Sequence, residues 1–379
     1  MSEIMDKIRQ RVIDDPTLLD ADAATLARVV REEAGVITDL DVLDTLRRLR
    51  DDTTGAGPLE ALLQIDGVTD ICVNGPEQVF IDRGHGLEHA SLTFSGDEEV
   101  RRLASRLAGA CGRRLDDASP FVDGRINRPD GTSIRLHAAL SPPARTHTLI
   151  SLRVLRQART SLDDLVEAET LPHDIASFLR EMIAARLSFL VVGGTGTGKT
   201  TLLAALLSEV PASERLVVIE DTAELDPRHP HVVGLTTRAA NTEGAGTITM
   251  SDLLVQALRM RPDRLIVGEI RGAEVVDLLA ALNTGHDGGA GTLHANIAGE
   301  IPARMEALAA LGGLDRVALH SQLAAAVDCA LVMRRGPDGR RRLDEIAALG
   351  GNPVTATTVW SHGHPLSESA RRLVERSTP

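Results

Sequence analysis

Apolar positions along the chain change their spacing twice, and each change predicts a different kind of structure. Up to about residue 50, Ile4, Ile8 and Val12, then Leu26, Val29 and Val30, then Leu40, Leu43, Leu46 and Leu49 recur at the three-to-four-residue helical period. Residues 1–52 therefore predict a small helical arm. The segment TTGAGP at 53–58 follows, and its Gly and Pro break helix and strand alike. Over 53–160 the signals alternate: a helical PLEALLQ, the strand-like DICVN, QVFID and ASLTF around a turn at Gly84 to Gly86, and a helix from about Asp97 to Gly109. Strand-like pieces at Ser133 to Leu140 and Thr148 to Leu155 close the region. That mixture predicts a smaller α+β domain with a hairpin-rich sheet. The charged stretch RQARTSLDDL reads as a second linker. Over 161–379 short, fully apolar strands (SFLVVGG, RLVVIED, DRLIVGE) alternate with helices, the pattern of a parallel sheet covered on both faces. DCALVMRR and RRRLDEIAAL, joined through Gly336 to Gly339, predict a hairpin.

Composition narrows the partners. The 379 residues carry a formal charge of -13, which argues against a surface that coats nucleic acid or anionic lipid as a whole. Aromatic residues make up 2%, with no Tyr and one Trp (Trp360), so base-stacking platforms are scarce. Cys72, Cys111 and Cys329 are odd in number and widely spaced, which offers neither a disulfide framework nor a zinc cluster and makes a reducing cytoplasm the default. The N-terminus lacks the apolar core of a signal peptide, and no apolar run approaches a membrane span. Work at a membrane would have to rely on another component.

The strongest chemical signal is GGTGTGKT, Gly193, Gly194, Thr195, Gly196, Thr197, Gly198, Lys199 and Thr200, with Thr201 opening the helical TLLAALL. It satisfies G-x-x-x-x-G-K-[ST] between a strand and a helix. Glycines let backbone N–H groups converge on phosphate oxygens, Lys199 brings a positive charge to the β and γ phosphates, and the Thr200 hydroxyl can ligate Mg²⁺. At average glycine usage the bare pattern arises in a chain of this length at roughly the one per cent level. The flanking strand and helix make chance rarer still.

Hydrolysis also needs carboxylates at neighbouring strand ends. RLVVIED offers Glu220 and Asp221, with Glu224 one turn on, and DRLIVGE offers Glu269. The second strand has the form of a Walker B strand, with Gly268 where a metal-side aspartate is usual. If Glu269 polarises the attacking water, another carboxylate must serve the metal's second shell, and Glu220 or Asp221 is available. Against this stands the plainer reading that these acids cap the next helix. His286 and His294, in NTGHDGGAGTLHAN beside Thr284, Thr292 and Asn296, form a candidate γ-phosphate sensor. HGLEH at 85–89 matches an inverted zinc-protease pattern, but Gly84 and Gly86 place it in a turn, where its two histidines cannot share a helix face. HPH at 229–231 has no third ligand in view.

Taken in order, GGTGTGKT, VVIEDTAEL, QALRMRPDRLIVGEIRGAE, LNTGHDG and TLHAN resemble the type II/type IV secretion and pilus-assembly ATPase superfamily, most closely its Tad/Flp pilus-assembly, conjugal-transfer-type branch. GPLEALLQIDGVTDICVNGPEQVFID resembles that branch's N-terminal domain and SPFVDGRINRPDG its following loop, so the similarity runs from about Gly57 through Leu349. The resemblance implies an α/β, RecA-like P-loop NTPase domain behind the smaller α+β domain. It also implies an ATP-hydrolysing motor, normally a hexamer, that is cytoplasmic and peripheral to the inner membrane, where it drives a platform protein. By position it implies phosphate and metal contacts from Lys199 and Thr200, Glu220 as the acidic-box residue, Glu269 as the catalytic glutamate and His286 and His294 as the His box. Arg125 and Arg135 match nucleotide-reaching arginines, although the loop before Arg135 is lengthened by Thr132, Ser133 and Ile134. Arg238 and Arg271 match further family positions. Direct nucleic-acid contact is not expected.

Two other classes compete. A nucleic-acid-translocating P-loop motor would use basic clusters such as Arg101, Arg102 and Arg106 with Arg113 and Arg114, or Arg334 with Arg340 to Arg342, which also read as solvated surfaces. A nucleotide-dependent scaffold without turnover would not need Glu220, Glu269 and both histidines. A GTPase switch would need an N-K-x-D base-reading motif, which the chain lacks.

Overall fold

The structure, a computed structural model, describes residues 11, 23–34, 55–84, 86–128, 132–155, 160–238, 240, 245–336 and 338–375. Its chain divides into two compact units, Met1–Arg156 and Gln157–Pro379. Of the expected helical arm, α1 (Ala23–Ala34) is described. The apolar faces at Ile4 to Val12 and Leu40 to Leu49 lie outside the described residues.

In the first unit a short helix α2 (Glu60–Leu63) and a long helix α3 (Asp97–Ala110) accompany six strands: β1 (Asp70–Val73), β2 (Val79–Asp82), β3 (Leu87–His89), β4 (Phe121–Asn127), β5 (Ser133–Ala139) and β6 (Leu149–Leu155). They form one sheet in the order β3-β2-β1-β6-β5-β4, antiparallel throughout. Period-two alternation sends Ile71, Val73, Ile134, Leu136, Ile150 and Leu152 into one core with Val100, Leu103 and Leu107 of α3. Arg135, His137, Ser151 and Arg153 remain exposed on the other face.

Two expectations are corrected here. ASLTF is not a strand: β3 is LEH, directly after the glycine turn, while Leu92 and Phe94 pack on the core from irregular backbone. SPFVDGRINRPDG is not a loop: its middle is β4, held by a seven-residue register with β5. The HGLEH segment forms no zinc helix, because His89 sits in β3 and Glu88 pairs with Arg83 at 2.6 Å.

The second unit contains α4 (Leu162–Glu167), α5 (His173–Ala184), β7 (Phe189–Val192), α6 (Lys199–Ser208), β8 (Leu216–Glu220), β9 (Val232–Thr236), α7 (Met250–Leu258) and β10 (Arg264–Ile270). It continues with α8 (Glu274–Leu282), β11 (Ala290–Leu293), α9 (Ile301–Leu311), α10 (Arg316–Ala326), β12 (Cys329–Arg335), β13 (Arg341–Gly350), β14 (Thr355–Ser361) and α11 (Glu368–Glu375). One eight-stranded sheet runs β14-β13-β12-β7-β11-β10-β8-β9. It is parallel from β12 to β9 and antiparallel at the β12-β13-β14 end, so the expected hairpin through Gly336 to Gly339 is present. Both faces are covered. Phe189 and Val191 of β7 enter a core with α5 and α6, and Leu190 and Val192 enter the opposite core with α7 to α10. This two-sided burial is why the strands read as continuous apolar runs.

Candidate nucleotide site

A parallel sheet with helices on both faces binds ligands beyond the carboxyl ends of its strands. Here the carboxyl end of β7 leads into the glycine loop and α6. Gly193 has φ 151°, and a Cβ there would lie 2.5 Å from the Met333 carbonyl oxygen and 2.7 Å from Thr197 Oγ1, so only glycine fits. Helix α6 starts directly after the loop, at Lys199, and its Leu202, Leu203, Leu206 and Leu207 are buried. A helix apolar on all sides is fixed by its surroundings, which holds the N-terminal amides steady for an anion. Thr195 and Gly196 are exposed at the loop tip, and Thr197 Oγ1 donates to the Gly194 carbonyl at 2.9 Å. Lys199 is buried, its Nζ donating to the carbonyls of Gly193 and Gly194 at 2.9 Å each. Burial pushes its pKa down, against the pull of Glu269. Thr200 and Thr201 occupy the first turn of α6, half-buried.

The carboxylates come from β10 and β8, which pair in parallel from Arg264↔Leu216 through Val267↔Ile219. Glu220, at the end of β8, is 5% exposed, and its Oε1 accepts the N–H groups of Glu224 and Leu225 at 3.0 Å each. A Cβ on Gly268 would lie 2.5 Å from Glu220 Cγ. The missing aspartate is therefore a packing requirement: Glu220 reaches from the neighbouring strand into the space a side chain at 268 would take. Asp221 is exposed, accepts from Thr237 Oγ1 at 3.3 Å, and its charge acts on Arg271 at the rim of this cluster.

Glu269 is the hub. Its Oε2 accepts from Arg271 Nη2, and its Oε1 is buried and lies 2.6 Å from His294 Nε2. The short contact sets the imidazole against the carboxylate, and a glutamate held on both sides in this way is the kind of group that can orient a water. Burial and the nearby Lys199 charge lower the pKa of His294, and Glu269 offsets them in part. The neutral imidazole is favoured; the stability this contributes is present above the usual histidine range and is lost as pH falls below it. Thr292 Oγ1 donates to the Gly268 carbonyl at 2.6 Å and ties β11 to the glutamate strand. Sequence reasoning passed over that role, although the threonine stands beside His294 in the motif.

The two histidines are not brought together. His294 follows β11 at the carboxyl edge of the sheet, beside Glu269. His286 precedes β11 and bonds the Ala281 carbonyl at the end of its own helix, at 3.2 Å. Its neighbours are at the amino edge, where Gly288 N–H donates to Ser188 Oγ and Arg186 donates to the Asp287 carbonyl. Of the arginines, Arg271 joins the cluster through Glu269, and Arg238 donates Nε to the Gly246 carbonyl at 2.7 Å, bracing its own loop. Arg125 and Arg135 belong to the first unit, directly opposite each other on β4 and β5. Arg125 Nη2 donates to Ser133 Oγ at 2.7 Å.

Among the described residues no set of three or more His, Cys, Asp or Glu forms a metal cage. Magnesium does not need one, because it takes one or two protein oxygens beside phosphates and water. The half-buried Thr200 hydroxyl in the first turn of α6 and the buried carboxylate of Glu220 at the end of β8 are oxygens of the kind such an ion takes.

The family of type II/IV secretion system proteins matches residues 52–364 of this chain. The chain belongs to that family. A Mycobacterium tuberculosis protein named for conjugal transfer is 56% identical over 342 residues, covering 89% of this chain and 97% of the relative. The conjugal transfer protein TrbB of Rhizobium radiobacter is 34% identical over 278 residues, 72% of this chain and 81% of its own length. The crystal structure of the pilus retraction motor PilT with bound ADP shares the fold, with TM-score 0.56 and 20% identity over 84% of each chain. The chain is thus a P-loop secretion-type ATPase with a RecA-like domain. No helix among the described residues is long and apolar enough to cross a membrane.

Proposed function

We propose that the chain is a magnesium-dependent ATPase motor that powers pilus assembly or type II/IV-type secretion. In this reading it works as a ring, normally a hexamer, docked at the cytoplasmic face of the inner membrane on a platform protein. The observation that carries it is the cluster at one sheet edge: a buried Lys199 in a glycine loop after β7, His294 after the neighbouring β11, and Glu269 on β10 next to that, in contact with His294. Lys199 and the α6 amides would hold the β and γ phosphates. Magnesium, held through Thr200 with Glu220 nearby, would supply charge neutralisation on the phosphates. Glu269 would orient the attacking water, with Arg271 and His294 holding the carboxylate in place. Arg125 and Arg135 would answer nucleotide state from the first unit. Glu220 combines the acidic-box role with anchoring the loop after β8.

The nucleic-acid motor reading loses support in the basic clusters. Arg101 pairs with Asp117, Arg114 with Asp116, Arg334 with Asp344 and Arg340 with Glu169.

The test is steady-state phosphate release by the full chain with ATP and Mg²⁺. Lys199→Ala is expected to abolish turnover, and Glu269→Gln to cut it by roughly 10²- to 10⁴-fold, the range of a lost proton-handling group. Turnover that survives Lys199→Ala would refute the reading. Stimulation of the wild-type rate by single-stranded DNA would transfer the motor to the nucleic-acid class.

A further inference from the structure

The β12-β13 hairpin flanks the glycine loop on the side of β7 away from Glu269, since the sheet runs β13-β12-β7-β11-β10. It approaches the loop closely: beside the Met333 carbonyl against Gly193, a Cβ on Gly198 would lie 3.3 Å from Arg341 Cδ and 3.4 Å from Met333 Cε. The stem of Arg341 thus lies on the loop residue directly before Lys199 and the start of α6.

The hairpin's other arginines have partners. Arg334 Nε lies 3.0 Å from Asp344, Arg342 Nε lies 3.6 Å from Asp344, and Arg340 pairs with Glu169. Arg335 Nε donates to the Gly339 carbonyl at 3.1 Å. Arg341 is exposed, and its side chain makes no hydrogen bond or ion pair among the described residues. It also stands directly opposite Arg335 across the hairpin, and its stem rests at the positive end of α6. Like charges opposed on a sheet repel, and a cation at a helix N-terminus is unfavourable. An anion on the glycine loop relieves both.

We propose that Arg341 is a nucleotide-positioning residue whose guanidinium binds the diphosphate shared by ATP and ADP, on the flank of the loop opposite the water-orienting carboxylate. The proposal rests on the P-loop ATPase reading and adds a residue to it. Because His294 at the end of β11 and Glu269 on β10 both stand beyond β7 from the hairpin, Arg341 acts on ground-state binding. An interaction equal in ground and transition states raises KM when it is lost and leaves kcat in place.

The test is calorimetric titration of the full-length chain with ADP, together with KM and kcat for ATP. Arg341→Ala is expected to weaken ADP by about 10- to 100-fold, the range for a charge-assisted hydrogen bond, and to raise KM with kcat within about twofold. Arg341→Lys should recover part of the affinity, and Arg340→Ala, on the same hairpin, should bind as the wild type does. Equal thermal melts for these surface variants would show that the hairpin is intact. Wild-type affinity in Arg341→Ala, or a fall in kcat at unchanged affinity, would overturn the proposal while leaving the ATPase reading in place. A wild-type chain that binds no ADP would overturn that reading and this proposal with it.

Discussion

The two sheets of this molecule solve burial in opposite ways. The central strands of the second unit's sheet, β7, β8 and β11, are buried along their whole length, so they carry almost no polar side chains until they end, and the chemistry gathers at the carboxyl edge. The first unit's sheet has one core face and one open face, so every second residue is free to be polar. On that open face Arg125, Arg135 and Arg153 stand directly opposite one another on β4, β5 and β6, followed by Asp70 on β1, which Arg153 reaches at 2.8 Å. At the carboxyl edge of the second unit's sheet the charge of Lys199, Glu220 and Glu269 is largely buried and held by hydrogen bonds or ion pairs. In the first unit it is laid out across a surface.

The sharpest way to break this contrast is to remove packing from each unit. Leu202, buried in α6 beneath the glycine loop, is expected to cost about 2–5 kcal/mol as Leu202→Ala. Ser151→Ala, on the open face of the first sheet, should stay within about 0.5 kcal/mol of wild type. Denaturant midpoints of the two variants check both, and similar losses would mean that the open face carries packing of its own.

A smaller effect tests the paired carboxylates. Gly268→Ala places a methyl where Glu220 lies, so the glutamate must leave the N–H groups of Glu224 and Leu225. The expected cost is about 1–3 kcal/mol, the range for overpacking, and Gly268→Ala with Glu220→Gly should recover part of it. Equal stability in the single and double variants would dissolve the pairing.

Much of the site was legible because it is local. A phosphate loop is a run of neighbours, and so is an apolar strand that ends in an acid. Whatever depended on a second strand was hidden. That Glu220 occupies the space beside Gly268 follows from the β8-β10 register, which no single stretch of sequence contains. His286 and His294 look alike in the sequence, but the length of β11 separates them to opposite edges. Strand β4 read as a loop because DGRIN mixes charge with glycine, which an open-faced sheet tolerates. ASLTF read as a strand because Leu92 and Phe94 keep a period of two while packing from irregular backbone. The hairpin at Arg341 read as solvated because its arginines look equivalent until their partners are known.

The smallest expected effect belongs to the arginine row. Arg135 lies between Arg125 and Arg153 in register, and like charges directly opposite on a sheet are destabilising by up to about 1 kcal/mol. Unlike Arg153, which has Asp70, and Arg125, which has Ser133, the Arg135 side chain makes no hydrogen bond or ion pair among the described residues. Arg135→Gln keeps the length and the polarity while removing the charge, so it should stabilise the chain by roughly 0.2–1 kcal/mol in a denaturant titration at low salt. High salt should erase the gain, because the repulsion between exposed charges is screened. If the row exists to meet nucleotide phosphates, the same variant should lose ATP turnover as it gains stability, the trade-off of a residue kept for work rather than for the fold. A gain in stability with turnover unchanged would leave Arg135 a surface charge, and a loss of stability would show that the open face already supplies it a counter-charge.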